Sequence, residues 1–284
     1  MSAARIAVVL RPEQSPEDLI QLAKYADEVG IDEIWLWEDC FCGGGIATAA
    51  TVLVVTTRMG VAIGVLPTPM RNTAITAMEI SALARIHPNR LRVGFGHGVQ
   101  SWMRQIGAKV ESPLTLLREQ FGALERLLRG ESVTVSGRYV NLTDVKLAWP
   151  PEKVPQLLVG ATGPKTLALS GELAQGTVLS GGTTPEGVRR AIAHIGAQDL
   201  EVVVYVICAF GSSGRERALA EAAASGCESP EEAIAVGTAA DVAAAAVRWV
   251  DAGATTVVLQ PTVDEPDVRE FIRLVAQEVQ PLMV

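Results

Sequence analysis

Residues 58–98 restrict the fold more than any other feature of this 284-residue chain. The apolar run from Met59 to Val65 has the continuity of a strand buried on both faces. It breaks into a Pro-rich loop, Leu66-Pro-Thr-Pro69, and a helical pattern follows from Thr73 to Ile86. A second buried strand, Leu91 to Phe95, runs into the glycine-rich exit Gly94-Phe-Gly-His-Gly98. Strand, glycine-rich exit, helix, strand, glycine-rich exit is the order of a barrel of parallel strands wrapped by helices. In such a barrel the loops at the C-terminal ends of the strands carry the chemistry, so two site loops are located by this stretch alone.

The rest of the chain repeats the unit. Ile6–Leu10 reads as the first strand. Ser15 is placed to cap a helix with Pro16 at its first position and Glu17 and Asp18 in its first turn; Gly30 ends it. Glu33–Trp37 is the second strand, and Ala47–Val55 a helix of small residues. The helix begun at Thr73 stops at Pro88, and Pro113–Arg129 is a periodic helix closed by Gly130. Residues 132–146 interrupt the rhythm: Val133–Val140 reads as a hairpin turning at Ser136-Gly137, inserted before the fifth strand. Gln156–Val159, Gly176–Leu179, Glu201–Phe210 and Thr255–Leu259 complete eight strands, each followed by a helix; the last helix spans Pro266–Val279. The sequence therefore predicts a (β/α)8 TIM barrel with a β-hairpin insertion before the fifth strand, as one domain over residues 1–284. A length near 250 residues is usual for this architecture.

Composition narrows the partners. Hydrophobic residues make up 49% of the chain, enough for a large core, and the net charge is −8. No basic cluster is dense enough for a phosphate backbone or an anionic membrane surface, which argues against nucleic acid and membrane partners. The apolar run at residues 6–10 is too short for a signal peptide and stops at Arg11-Pro12; no stretch reaches the ~20 apolar residues of a spanning helix. The expected location is the cytoplasm. Cys40 and Cys42 read as reduced thiols in a loop, since a C-x-C without a second pair is a poor metal signature; no metal is expected.

Three strand exits in all are rich in glycine: Gly94-Phe95-Gly96-His97-Gly98, Gly160-Ala161-Thr162-Gly163 and Ser180-Gly181-Gly182. Glycine lets backbone approach a ligand, and consecutive N–H groups cradle anions, so the three together point to a phosphate-bearing cofactor. Gly163-Pro164 also opens a helix, whose N-terminus favours phosphate. None has the spacing of a dinucleotide fingerprint. Glu38 and Asp39 follow the second strand beside Trp35 and Trp37. Strand alternation predicts that one of them enters the barrel mouth, where an apolar setting raises a carboxyl pKa and suits it to proton transfer. His97, at another exit, is a third candidate for proton transfer or phosphate contact. His87 and His194 read as surface residues.

These residues carry a resemblance. The chain resembles the luciferase-like (bacterial luciferase superfamily) flavin- and deazaflavin-dependent oxidoreductases, most of all the methylenetetrahydromethanopterin reductase-like branch that uses coenzyme F420. The resemblance rests on Ala26–Trp35, on Gly64-Val65 followed by Pro67 and Arg71, on Gly94–Gly98, on Val159–Leu167 with Gly171–Ala174 and Gly176, and on the segments at Val236 and Ala252. It departs from the family pattern after the second-strand acid, where a histidine is frequent and Asp39 followed by Cys40 stands here, and at Gln175, where an aspartate is usual.

The resemblance implies a cis peptide at Gly64-Val65, forming a bulge behind the cofactor ring. It implies phosphate binding by His97-Gly98 and Gly160–Gly163, and an acid near the ring at Glu38 or Asp39, with Glu38 the better match. The activity implied is hydride transfer between F420 and a small organic substrate. The alternatives are an FMN-dependent luciferase-like monooxygenase and a barrel that binds a flavin without turnover. Arg71, Lys109, Arg138 and Lys165 are scattered candidates for the acidic tail of F420. The family habit also implies a homodimer, for which the small-residue helices Ile46–Val55 and Ala239–Val250 offer flat faces.

Overall fold

The computed structural model describes residues 4–283. Along the chain the elements are β1 (Arg5–Leu10), α1 (Pro16–Val29), β2 (Glu33–Leu36), α2 (Gly45–Val55), β3 (Gly60–Pro67), α3 (Thr73–Ile86), β4 (Leu91–Gly96), α4 (Gln100–Gln105), α5 (Pro113–Leu128), β5 (Val133–Ser136) and β6 (Asn141–Val145). They continue with β7 (Gln156–Gly160), α6 (Pro164–Leu173), β8 (Gly176–Leu179), α7 (Pro185–Ile195), β9 (Glu201–Phe210), α8 (Gly214–Ala224), β10 (Ile234–Gly237), α9 (Ala239–Asp251), β11 (Thr256–Pro261) and α10 (Val268–Leu274).

Eight parallel strands run in the order β9-β11-β1-β2-β3-β4-β7-β8, and β8 pairs back to β9 to close a TIM barrel. The helix signals act as read. Ser15 Oγ accepts from Asp18 N at 3.1 Å, and Gly30 ends α1 at φ 104°. A cap not singled out from sequence is Asn72, whose Oδ1 accepts from the N–H groups of Ala74 and Ile75 at the start of α3. Inside the barrel, Val9, Trp35, Ala62, Leu158, Val203 and Tyr205 belong to one packed layer, while a larger apolar shell fills the space between strands and helices. Below that layer Arg92 bridges Glu33 (2.7 Å) and Glu201 (2.6 Å). This charged plug closes the N-terminal end, so the open end is the C-terminal one.

Three features differ from the sequence reading. The inserted hairpin is antiparallel β5–β6, as expected, but its second strand lies at Asn141–Val145. The turn is wider because the Glu119 carboxylate accepts the N–H groups of Arg138, Tyr139 and Val140 at 2.8–3.0 Å, holding residues 137–140 as a loop. The short helix α4 follows β4, where no helix was expected. The largest difference is β10. Pairing of β8 with β9 stops at Leu179–Val204, and β10 then pairs with Ile207–Phe210 on the same edge of β9. The wall between β8 and β9 is therefore split at its upper rim.

Candidate active site

The open end of the barrel holds a cavity of ≈ 530 Å³. Its floor and walls come from the ends of β3, β4, β7, β8, β9 and β11, with α8 contributing Glu221. Of the residues singled out from sequence, Glu38, Asp39, Gly64, Val65, Gly96, His97, Gly98, Gly160, Ala161, Thr162, Ser180 and Gly181 all line it. Gly163 does not. It caps α6, and a side chain there would meet nothing within 4 Å, so it is no steric gate to the cavity.

The Gly64–Val65 peptide is cis, and the β3–β4 register slips between Ile63 and Leu66, as the resemblance implied. A second non-proline cis peptide, Cys40–Phe41, had no counterpart in the sequence reading. The glycines around Val65 have a packing reason. A Cβ on Gly94, Gly96 or Gly160 would lie 2.8, 2.7 or 2.9 Å from a Val65 methyl. Their first task is thus to seat Val65, which forms part of the cavity wall. Gly181 also has a packing reason, since a Cβ there would lie 2.8 Å from Gln260 Oε1 on β11.

Glu38 and Asp39 both border the cavity, but their environments differ. Glu38 is buried, accepts the Gly45 N–H at the start of α2 at 2.5 Å, and is gripped by the Arg71 guanidinium through Nε (3.2 Å) and Nη2. Its oxygens are committed to holding the β2–α2 connection against the β3 exit. Arg71 is thereby removed from the candidates for a cofactor tail, and Arg138 is occupied by Glu111. Asp39 makes no comparable pair. Burial, and then the neighbouring Glu13 carboxylate, push its carboxyl above the usual aspartate range, against the opposing pull of Arg11.

His97 Nε2 lies 2.9 Å from Thr166 Oγ1. Its Nδ1 is buried without a hydrogen-bond partner. Burial lowers its pKa, with the Pro113 carbonyl opposing from outside hydrogen-bond geometry, so the ring is neutral near pH 7. The loop after β7 has fewer donors than its glycines promised, because Ala161 N–H is engaged by Val178 O at 3.1 Å. Ala161 and Thr162 of this loop line both this cavity and the next.

Sequence reasoning missed several site residues. Tyr205 sits inward on β9, its hydroxyl donating to Gly64 O at 3.1 Å and its ring edge-on to Trp35 and Trp37. Arg11 stacks over Trp37 at 5.3 Å and donates to Glu221 Oε1 (2.6 Å) and Glu13 (3.0 Å). Gln260 donates to the same Glu221 oxygen at 2.7 Å. Arg11 was read only as the stop of an apolar run; its place at a strand exit was the available signal.

Over the exits of β7 and β8 the cavity meets a second one of ≈ 510 Å³, sharing Ala161, Thr162, Ser180, Gly181 and Ser225. Arg190 and His194 of α7 line this side cavity; His194 is exposed, as the sequence reading had it, and stands at the cavity's edge. Lys109 and Lys165 line neither. Among the described residues no group of three or more His, Cys, Asp or Glu has a metal-holding arrangement, and no helix is long and apolar enough to cross a membrane.

The model of the luciferase-like monooxygenase family matches residues 1–227. The chain belongs to this family. It is 34% identical over 176 residues to a 5,10-methylenetetrahydromethanopterin reductase from Methanolobus tindarius, covering 62% of this chain and 53% of that protein. The chain thus matches about half the length of this curated relative. In backbone it is similar to the coenzyme F420 dependent tetrahydromethanopterin reductase from Methanopyrus kandleri, with a TM-score of 0.84, 22% identity and 100% of both chains covered. It is also similar to the FMN-complexed oxygenating constituent of 3,6-diketocamphane monooxygenase from Pseudomonas putida, with a TM-score of 0.79, 18% identity and 99% of both chains covered. At these identities the two structural likenesses bear on the luciferase-like fold alone.

Proposed function

We propose that this luciferase-like barrel is an F420-dependent oxidoreductase that moves a hydride between the deazaflavin and a small organic substrate. The observation that carries the reading is the pair of joined cavities. One is walled by Val65, Val178, Ile207, Trp37 and Trp102 and suits a flat ring; the other carries Arg190 and His194, with Glu228 as its one carboxylate, and offers a guanidinium to an acidic tail. The sequence relative that is a 5,10-methylenetetrahydromethanopterin reductase supports the same reading.

When bound, the deazaflavin supplies the two-electron chemistry. The chain supplies position, dryness and a proton. Val65 and the glycines beneath it form the platform for the ring. Thr162, Ser180 and Gly181, with His97 and Gly98 across the mouth, are the groups that would hold the phosphate; Gly163 contributes by starting α6. Neutral His97, fixed by Thr166, donates or accepts a hydrogen bond without adding charge. We assign the proton-transfer role to Asp39, not to Glu38, which the sequence reading favoured: the Asp39 carboxyl borders the cavity without an ion-pair partner and burial raises its pKa, whereas Glu38 is tied to Arg71 and Gly45. Glu38 is a positioning residue.

FMN is the competing cofactor, since its phosphate would use the same loops and leave the Arg190 cavity empty. Titration of the purified protein with F420 and with FMN, followed by fluorescence, separates the two. Micromolar or tighter binding of F420 with FMN weaker is expected; binding of FMN alone, or of neither, would overturn the assignment. Reduction of the bound coenzyme by substrate distinguishes an enzyme from a barrel that merely carries a flavin.

The functional unit we propose is a cytoplasmic homodimer of single-domain chains. The support is an apolar face on two neighbouring helices: Val54 on α2 and Ile75, Met78 and Ile86 on α3 are all more than half exposed. This face replaces the flank of α9 in the sequence reading, because α9 turns Val242, Ala246 and Trp249 into the core.

A further inference from the structure

A third cavity, of ≈ 480 Å³, lies outside the barrel wall at its upper rim, between β1 and β2 on one side and α1 and α2 on the other. Strand alternation explains its position. Val9, Trp35 and Trp37 belong to the layer inside the barrel, whereas Leu10 and Leu36 belong to the outer shell and line this cavity. Leu19, Ile20 and Ala47 supply much of the remaining surface, and Glu13, at the rim, is its sole charged lining residue. Trp37 lines both this cavity and the ring cavity. It stands where β2 ends, so a molecule resting in the ring cavity passes into the outer one over Trp37, not through the wall. The indole is braced by Arg11 at 5.3 Å and by the Tyr205 ring at 5.6 Å, which makes it a fixed sill. Asp39 is two residues further along the chain, so the sill lies beside the proposed proton donor.

We propose that this outer cavity is a substrate subsite that takes an uncharged apolar chain or ring, while the reacting carbon lies in the ring cavity next to Asp39. The proposal rests on the oxidoreductase reading above and deepens it: the substrate class is a molecule with a carbonyl or alcohol at one end and an apolar extension. An anionic extension is disfavoured by Glu13, and a strongly polar one by the leucine and isoleucine walls, because burying a polar group without a partner is costly.

The test uses a homologous series of linear 2-alkanones, from 2-butanone to 2-nonanone, titrated by ligand-observed NMR against the full chain with and without F420. Each methylene that enters the outer cavity should tighten binding roughly fourfold. Ala47→Trp and, as a second blocking variant, Thr51→Phe place bulk on exposed positions at the cavity's edge. Both should abolish the gain for the longer members while 2-butanone and F420 bind as before. A wild-type series with no gain in affinity, or a gain that survives both folded variants, would overturn the subsite. Because the ketones are also titrated without coenzyme, a failure of F420 to bind strikes the coenzyme assignment and leaves the subsite result readable.

Discussion

The Tyr205 hydroxyl donates to the Gly64 carbonyl across the barrel at 3.1 Å. Burial raises its pKa far above the ordinary tyrosine value, so it is a neutral donor throughout the working range. The bond ties β9 to the end of β3 while the ring packs edge-on against two tryptophans. Tyr205→Phe keeps the ring and strands the carbonyl. Denaturant unfolding should show a loss of about 1–3 kcal/mol, the cost of an unsatisfied buried acceptor. An unchanged midpoint would mean that water replaces the hydroxyl and that the tie is not structural.

The seat of Val65 makes a second prediction. A Cβ on Gly96 would fall 2.7 Å from Val65 Cγ2 but 3.7 Å from its Cβ. Gly96→Ala should therefore destabilise by about 1–3 kcal/mol through overpacking, and Val65→Ala should restore part of that loss. In a double-mutant cycle the two changes should couple, by more than about 0.5 kcal/mol. Strict additivity would show that Gly96 is needed for something other than Val65.

Glu38 and Asp39 should separate into a stability phenotype and a chemical one. Glu38→Gln takes the buried carboxylate from Arg71, which keeps only its longer contact to Glu79 at 3.4 Å, and breaking a buried pair typically costs about 3–5 kcal/mol. Asp39→Asn removes a carboxyl whose folded pKa is raised, so the folded protein binds that proton more tightly than the unfolded chain. Between about 3.9, the unperturbed aspartate value, and the raised one, this group makes stability fall as pH rises. The variant should lose that slope and be no less stable at neutral pH. If Asp39 transfers the proton, turnover should also drop by about 10²–10⁴ with coenzyme affinity kept. Full turnover in Asp39→Asn, or an unshifted acid limb in its stability profile, would return the residue to the status of a rim acid.

Much of the barrel was legible because its signals are local. Ser15, Pro16, Gly30 and Pro88 bound helices by backbone chemistry that needs no tertiary partner. The strand exits were legible for the same reason, and twelve of the residues picked there meet in one cavity. What escaped depends on contacts distant in sequence. Nothing local marks β10, whose pairing is required only because β8 ends early against β9. Arg11 ends one apolar run and Tyr205 lies inside another; both meet Trp37 only when β1, β2, β3 and β9 close into a ring. The roles of Glu38 and Asp39 were likewise invisible, since Arg71 is 33 residues away from Glu38 in sequence. The glycines misled in one respect: their nearest claimant is the Val65 side chain, which only the folded barrel brings over them.

The apolar face of α2 and α3 should disappear from solvent in a dimer. Light scattering at micromolar concentration should give twice the 30.0 kDa chain mass. Met78→Glu, which places a charge at the centre of the face, should shift the species to the monomer without unfolding it, because Met78 is exposed in the single chain. A wild-type monomer, or a Met78→Glu dimer, would move the interface elsewhere or remove it.

The last prediction concerns Arg190 and the choice of cofactor. F420 and FMN share a ring-sized body and a phosphate, and differ in the acidic tail that only F420 carries. Arg190 lies in the side cavity, beyond the exits of β7 and β8, and does not line the ring cavity. Its partners on the chain are few: the neighbouring Arg189 takes the Glu186 carboxylate at 3.2 Å, while no carboxylate is paired with Arg190 among the described residues. A tail entering this cavity would meet an available guanidinium and the imidazole of His194. Arg190→Glu should therefore weaken F420 by about tenfold or more, equal to roughly 1.4 kcal/mol, with a loss that shrinks as salt rises. Binding of FMN, which would leave the side cavity empty, should change by less than twofold. Titrations of both cofactors at low and high salt measure the contrast directly. Equal losses for the two would show that Arg190 acts through the fold of the loop and not on the tail, and no loss for either would send the tail along a different path.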